Sequence, residues 1–345
     1  MTNVREEPWS QAGLGAGQNA VMAPGGREIR LIASDIDGTI LSYASTETGT
    51  VSTRTAEAFQ AAHEAGLQVV LVTGRPVRWL RGISERLGTL GTVICSNGAV
   101  TYDLAEDRLV REDVLSAEAL FAVKDLILDI DPRASFAAET LQRLHLERPF
   151  AKDSLFFDDQ RRRDAGITDE ELRIGPLDET LERDSLGALR TPEDTAAEGI
   201  AVEADSGLPG EPSAPHAADR VVKLLAKTEA MDPDRFLETV RERAGHLLAV
   251  THSAPGVSLL EFSAKGVNKA AALHRHAAVH GIAAEQAAAF GDMPNDVEML
   301  QWAGVSWAVG SAHPAARSAA THVAGRCEDD GVAQVIEELL SGRHR

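Results

Sequence analysis

The sequence predicts an α/β protein, with a parallel, Rossmann-like sheet core interrupted by a large α/β insertion. Three observations carry this. The first third of the chain alternates apolar strand-like runs with helix-like runs. The last third resumes the same alternation. Between them lies a stretch of different texture, rich in hairpin-like pairs, that reads as a layer of its own.

Residues 1–27 are polar and glycine-rich, with no apolar stretch of the kind a leader peptide carries, and are expected to form a flexible arm. The core is expected over 28–99 and 263–345, with the insertion over 100–262. A strand is expected over 29–34, because an apolar run ends there in Asp35-Ile36-Asp37-Gly38-Thr39. A helix over 53–65 starts at a Ser52 cap and stops at Gly66. A second strand over 67–73 ends in Thr73-Gly74-Arg75-Pro76, and Pro76 suits the first turn of a helix over 77–87. A third strand over 92–95 ends in Ser96-Asn97-Gly98. Strand, helix, strand, helix, strand implies a parallel sheet with right-handed crossovers.

The insertion opens with strands over 100–103 and 108–111 and a helix over 117–129. It closes with a strand over 220–225, a helix over 232–244 and strands over 247–252 and 257–262. Within it, 158–218 is acidic and rich in glycine and proline, a composition expected of a mobile loop. The core then resumes with a helix over 267–280, a strand over 286–290, a helix over 294–303, a strand over 305–309 and helices over 314–319 and 332–340.

Hydrophobic residues make up 43% of the chain, enough for a substantial core, while aromatics are only 4%, so aliphatic and alanine packing must dominate. With 34 Lys+Arg against 53 Asp+Glu the net charge is −19. Such a field repels polyanions and argues against nucleic acid or an anionic membrane as partner. A phosphorylated metabolite can still bind where the local site is cationic. The two cysteines, Cys95 and Cys327, fit neither a zinc spacing nor a disulfide scaffold, so a reducing cytoplasm is expected. No apolar run is long enough to span a membrane, and no obligate protein partner is evident.

Four clusters far apart in sequence fall where a strand ends or a helix begins: Asp35/Asp37, Thr73, a lysine at 265 or 269, and Gly291-Asp292-Met293-Pro294-Asn295-Asp296. Parallel strands deliver their carboxyl ends to one edge, so these clusters can meet. Carboxylates converging there repel each other unless a cation or a shared proton relieves them. The chemistry is that of a magnesium site handling phosphate. Asp35 and Asp292 offer hard oxygen ligands, and a lysine and the Thr73 hydroxyl can hold phosphoryl oxygens. A carboxylate can attack phosphorus to give an aspartyl-phosphate, while a second acid, Asp37, protonates the leaving oxygen and then activates water.

These residues resemble the four motifs of the haloacid dehalogenase (HAD) superfamily. With Ser96-Asn97-Gly98-Ala99 and the large insertion, they resemble its Cof-type phosphatase branch over roughly 29–340. The resemblance implies a HAD-like Rossmannoid core with an inserted cap. It implies Asp35 as nucleophile, Asp37 as general acid/base, and Thr73 and Lys269 as phosphate ligands. It assigns Mg²⁺ to Asp35, the Asp37 carbonyl and Asp292, with Asp296 and Asn295 supporting that site. Gly74, Arg75, Asn97 and Asn295 fall on the substrate side, although Arg75 could instead anchor the insertion by an ion pair. The family lysine aligns with Lys269 rather than Lys265, and Ala270 stands where the family usually has Gly.

The resemblance further implies a Mg²⁺-dependent phosphatase acting on a small phosphorylated metabolite, with the cap hinged near Gly98 and 264–266. A phosphotransferase or phosphomutase on the same site is one alternative, and a non-catalytic phosphometabolite sensor is another. Cys95 lacks the arginine six positions on that a cysteine phosphatase needs and reads as a small buried hydrophobe. His276 and His280 share a helical face without a third ligand. The glycines of 13–17 follow no strand, and the arginines of 161–163 read as solvated.

Overall fold

The computed structural model describes residues 20–45, 50–88, 91–151, 162, 167–181 and 220–342. Its larger sheet has eight strands. Three come from the first third: β3 (Leu31–Ser34), β4 (Gln68–Val72) and β5 (Thr92–Cys95). The hairpin β6 (Val100–Asp103) and β7 (Arg108–Glu112) extends one edge. The other edge is β14 (Ala287–Gly291), β15 (Val305–Ala308) and β16 (His322–Val323). The order is β16-β15-β14-β3-β4-β5-β6-β7, parallel from β16 to β5 and antiparallel beyond.

The chain leaves β3 toward β4 and returns far later to β14 on its other side. The strand order therefore reverses between β3 and β14, the place where open α/β sheets bind ligands. Ala287, Ala288 and Ala289 of β14 are fully buried, as are Leu31, Ile32 and Ala33 of β3. Buried on both faces, these strands read as continuous apolar runs rather than alternating ones.

Helices α1 (Thr53–Glu64), α2 (Arg81–Leu87), α6 (Lys269–Val279), α7 (Val297–Trp302), α8 (Pro314–Ala319) and α9 (Gly331–Ser341) belong to this core. The Ser52 hydroxyl accepts from the Thr55 amide at 3.0 Å, the cap that starts α1. Two expected helices are broken. Residues Val77–Trp79 and Pro294–Asp296 form single 3₁₀ turns before α2 and α7 begin.

The cap is a six-stranded sheet in the order β10-β9-β8-β11-β13-β12. Its strands are β8 (Ser135–Thr140), β9 (Leu144–Leu146), β10 (Leu172–Ile174), β11 (Val221–Lys227), β12 (Ala249–Thr251) and β13 (Leu259–Ser263). Helices α3 (Ala117–Ile130), α4 (Leu177–Thr180) and α5 (Pro233–Ala244) complete it. Phe136, Leu224, Leu260 and Phe262 share one apolar cluster with Phe236 and Val240 of α5 and Leu120 and Val123 of α3. Side chains alternate along a strand, so Glu139, Lys223 and Glu261 fall on the opposite face. That face meets the core.

Three expectations need correction. The insertion expected to open at 100 begins only after Glu112, because β6 and β7 pair onto β5 and complete the edge of the core sheet. The arm expected over 1–27 ends early, because β1 (Val21–Ala23) pairs with β2 (Arg27–Ile29) across a turn at Gly25-Gly26. Ala23 is fully buried in the core, so apolar burial fixes this short hairpin. Residues 1–19, including the glycines of 13–17, lie outside the described residues. The acidic loop expected over 158–218 contains β10 and α4 in its described part, with Leu172, Leu177 and Leu181 buried. The rest of that loop lies outside the described residues.

Ser96, Asn97 and Gly98 have successive positive φ values of 48°, 56° and 99°. A Cβ on Gly98 would collide with the Asn268 carbonyl. Asn268 caps α6 by accepting from the Ala271 amide at 2.7 Å, and Lys269 follows it. Gly98→Ala is therefore expected to destabilise the fold by about 2–3 kcal/mol. Chemical denaturation checks this; an unchanged midpoint would mean the contact relaxes freely.

Candidate active site

The carboxyl ends of β3 and β14 bring Asp35 and Asp292 together. The Asp35 amide donates to the Phe290 carbonyl at 3.0 Å, one step past the last ladder pair, so Asp35 sits just where β3 leaves the sheet. Gly38 turns the chain with φ +80°, and a Cβ there would collide with the Asp292 carboxylate and the Tyr43 ring. Thr39 Oγ1 lies 3.2 Å from Asp292 Oδ1 and 3.4 Å from Asp35 Oδ2. The Tyr43 hydroxyl donates to Asp292 Oδ2 at 2.7 Å.

Lys269 enters from the first turn of α6, 1% exposed. Its ammonium donates to Asp35 Oδ1 and to Asp296 Oδ1, both at 2.6 Å. Asp296 Oδ2 accepts from the Asp292 and Met293 amides, each at 2.9 Å, which locks the loop that carries Asp292. Lys265, four residues earlier, donates instead to the Gly245 carbonyl at the end of α5. The structure thus brings Lys269, and not Lys265, against Asp35.

One ammonium is hydrogen-bonded to two of three buried carboxylates, which leaves negative charge in excess. Burial pushes Asp35 up to about 7; Lys269 opposes this, but Asp296 and Asp37 add to it. Asp292 is held well above the usual carboxylate range by burial and then by Asp35 and Asp296. Burial works against the charged Lys269, yet Asp296 and Asp35 outweigh it and hold its pKa above the ordinary value. Burial, then the Asp292 carboxylate, push the Tyr43 phenol upward, so it stays a donor. Oxygens of Asp35, Asp292 and Asp296 lie within 4.8 Å of one another. A hard, all-oxygen donor set with excess negative charge fits a divalent cation such as magnesium.

Other residues singled out in the sequence lie around this centre. Arg75 grips Asp37 with both arms of its fork, Nε to Oδ2 and Nη2 to Oδ1, each at 2.7 Å. It does not anchor the insertion through that pair. Thr73 is fully buried, and its Oγ1 accepts from the Arg75 amide at 3.1 Å, which turns the hydroxyl proton away from that amide. Asn97 receives the Asn295 amide on Oδ1 at 3.0 Å and donates to Glu261 of the cap at 2.7 Å.

Sequence reasoning missed the cap's share. The Lys223 ammonium donates to the Gly74 carbonyl at 2.7 Å and pairs with Glu139 at 3.2 Å and Glu261 at 3.3 Å. Burial disfavours its charge, but Glu139 and Glu261 hold its pKa above the ordinary value. Arg78 Nη2 adds a contact at 3.6 Å to Glu139, and Ser253 donates to Glu261 at 3.0 Å. The signal was a single charge within each apolar strand run. Tyr43 had no comparable signal.

Cys95 is fully buried, and burial raises its thiol pKa, so it stays an inert hydrophobe. His276 and His280 pack on each other at 4.5 Å, with Gln68 3.3 Å from the His276 ring nitrogen. Arg162 pairs with Asp169 at 2.7 Å, while its neighbours 161 and 163 lie outside the described residues.

Comparison with known proteins places this geometry. The family model for haloacid dehalogenase-like hydrolases matches residues 32–181 and 208–336. A 5-amino-6-(5-phospho-D-ribitylamino)uracil phosphatase of Bacillus subtilis is 26% identical, across 92% of this chain and 100% of that relative. A pyridoxal phosphate phosphatase of Escherichia coli is also 26% identical, across 90% of this chain and 98% of that one. A solved Streptococcus mutans structure superposes with a TM-score of 0.69 at 19% identity, across 91% of this chain and 100% of the other, and shares the fold.

Proposed function

We infer the reaction from one premise: this chain belongs to the haloacid dehalogenase-like hydrolase family, in its Cof-type branch, and is a phosphatase. We propose that it hydrolyses a small phosphorylated metabolite at Asp35, through an aspartyl-phosphate intermediate. The observation that carries this reading is the Asp35–Lys269–Asp296 cluster beside Asp292, at the reversal point of the sheet.

In this reading the Asp35 carboxylate attacks phosphorus while Lys269 and Thr73 neutralise the phosphoryl oxygens. Asp37 gives its proton to the leaving oxygen. It then takes one from the water that cleaves the acyl phosphate at phosphorus, which restores Asp35 and releases inorganic phosphate. Mg²⁺ would be held by Asp35, Asp292 and the Asp37 carbonyl, and when bound it offsets negative charge that the lysine alone leaves unbalanced. Asp296 acts through the residues it holds: it fixes Lys269 and the amides of Asp292 and Met293.

The fork of Arg75 fixes the orientation of Asp37. Arg75→Lys keeps the charge but loses the two-point grip. Its kcat is expected to fall about tenfold with little change in KM, as for loss of positioning in the transition state. A change confined to KM would instead place Arg75 on the substrate.

The cap supplies the leaving-group side. Glu139, Glu261 and Lys223 of the cap, with Arg78 and Asn97 of the core, present acceptors and donors of balanced charge, which suits a neutral, hydroxyl-bearing leaving group. The relatives named for a phosphoribitylaminouracil and for pyridoxal phosphate act on compounds of that kind. The chain crosses between core and cap at 113–116, after β7, and at 264–266, and opening about these links would admit substrate, while closure would exclude water.

The test is phosphate release from a panel of sugar phosphates, pyridoxal phosphate and ribityl phosphates, with Mg²⁺ and after chelation. Release that needs Mg²⁺ and favours polyol phosphates is expected. Tight binding without release would make the protein a sensor, and phosphate passed to a sugar would make it a transferase.

A further inference from the structure

A second cluster, outside the phosphate site, joins the cap to the core. Asp234 lies in the first turn of α5 and His252 directly follows β12, both in the cap. His313 lies in the core, in the loop before α8, and its amide donates to the Asp292 carbonyl at 2.8 Å. His252 Nε2 is 3.1 Å from Asp234 Oδ1, and His313 Nε2 is 3.5 Å from the same oxygen. One ligand atom from each residue lies within 4.8 Å of the other two.

We propose that Asp234, His252 and His313 form a binding site for a zinc-class transition-metal ion, which straps the cap to the loop carrying Asp292. Two imidazoles and one carboxylate form a ligand set that suits zinc rather than magnesium. Ligands about 2.0–2.1 Å from a tetrahedral ion lie about 3.3 Å apart, close to the two separations seen here. The two rings cross edge-on at 87°, which lets both Nε2 atoms converge on one point. His252 is 2% exposed, and its Nδ1 has no hydrogen-bond partner, so Nε2 makes its polar contact among the described residues.

The charges are right for coordination. Burial keeps His252 below the usual histidine range, so the ring is neutral. Burial is the largest single effect on Asp234 and raises its pKa, but the hydrogen bonds and proximity of His252 and His313 together outweigh it, so the carboxyl stays below its usual range and is ionised. Its side chain is 67% exposed, which leaves solvent access for the ion and a water in the fourth position. Both rings coordinate through Nε2 and carry their proton on Nδ1. Neither ring gains or loses a proton. His313 Nδ1 then gives up the Ala315 amide it accepts at 3.1 Å, and that is the cost of coordination.

The test is a cobalt(II) titration of the full chain saturated with Mg²⁺, followed by visible absorption. Four-coordinate cobalt with two imidazoles absorbs strongly, whereas cobalt in an all-oxygen, six-coordinate site absorbs weakly. The expected result is an intense band that saturates at one cobalt per chain and is abolished by zinc. Asp234→Ala should weaken that binding by more than about 100-fold, beyond what loss of an outer partner costs. His252→Gln should do the same, and thermal melts without metal check that each variant folds. Weak absorption alone in the wild type, or an intense band that survives Asp234→Ala, overturns the proposal. The readout does not depend on turnover, so it can fail while the phosphatase reading stands.

Discussion

Asp35→Asn is expected to lower metal-dependent phosphate release by at least about 10⁴-fold, as loss of a nucleophile does in enzymes that form a covalent intermediate. The same substitution should stabilise the metal-free protein at alkaline pH. Burial raises the folded pKa of Asp35 to about 7 from 3.8, so the folded state binds more protons than the unfolded one between those values. Stability from this group therefore falls as pH rises through that window, and the penalty is complete above pH 7. Asn carries no such penalty. Thermal melts without metal should show variant and wild type diverging from pH 5 to pH 8, with the variant more stable at pH 8. Added Mg²⁺ should stabilise the wild type more at pH 8 than at pH 5. A variant that melts lower at pH 8, or that keeps measurable turnover, contradicts this account of Asp35.

Lys269→Gln should act in the opposite direction on stability. Lys269 is, among the described residues, the one cation hydrogen-bonded to both Asp35 and Asp296, each at 2.6 Å. Its removal leaves buried carboxylates facing each other, and breaking a buried pair in this way costs about 3–5 kcal/mol. The melting temperature of the metal-free variant should fall accordingly. Its gain on adding Mg²⁺ should exceed that of the wild type, because a cation then relieves more uncompensated charge. Turnover should be lost even with Mg²⁺ present, since no ammonium remains for the phosphoryl oxygens. A stable variant that retains turnover would move the phosphate-binding charge elsewhere.

Much of this site could be read before the fold was known. Asp35, Thr73 and Asp292 sit at the ends of apolar runs, where a carboxylate or hydroxyl is tolerated far better than inside a strand buried on both faces. Parallel strands then bring such ends together, whatever the sequence separation. Lys269 was separable from Lys265 by resemblance, and burial separates them in space. The cap's charges were harder to see. Ser135–Thr140 contains alanines and Glu139, a weak strand signal, and its place is set by pairing with β11 rather than by propensity. Strands of three residues, such as β9 and β10, are shorter than any periodicity can show. Tyr43 reaches Asp292, 249 positions away, through a turn whose direction Gly38 sets. The cluster of Asp234, His252 and His313 likewise exists only because cap and core meet.

Borohydride trapping during turnover tests the central claim most directly, because hydride reduces an acyl phosphate, but not a free carboxylate, to an alcohol. Protein quenched in the steady state with substrate and Mg²⁺ would be digested and its peptides weighed. The account predicts that the Asp35 side chain is reduced to the homoserine alcohol, in a substrate-dependent way. Active enzyme that yields no reduced product at Asp35, or that is reduced at another carboxylate, would contradict it.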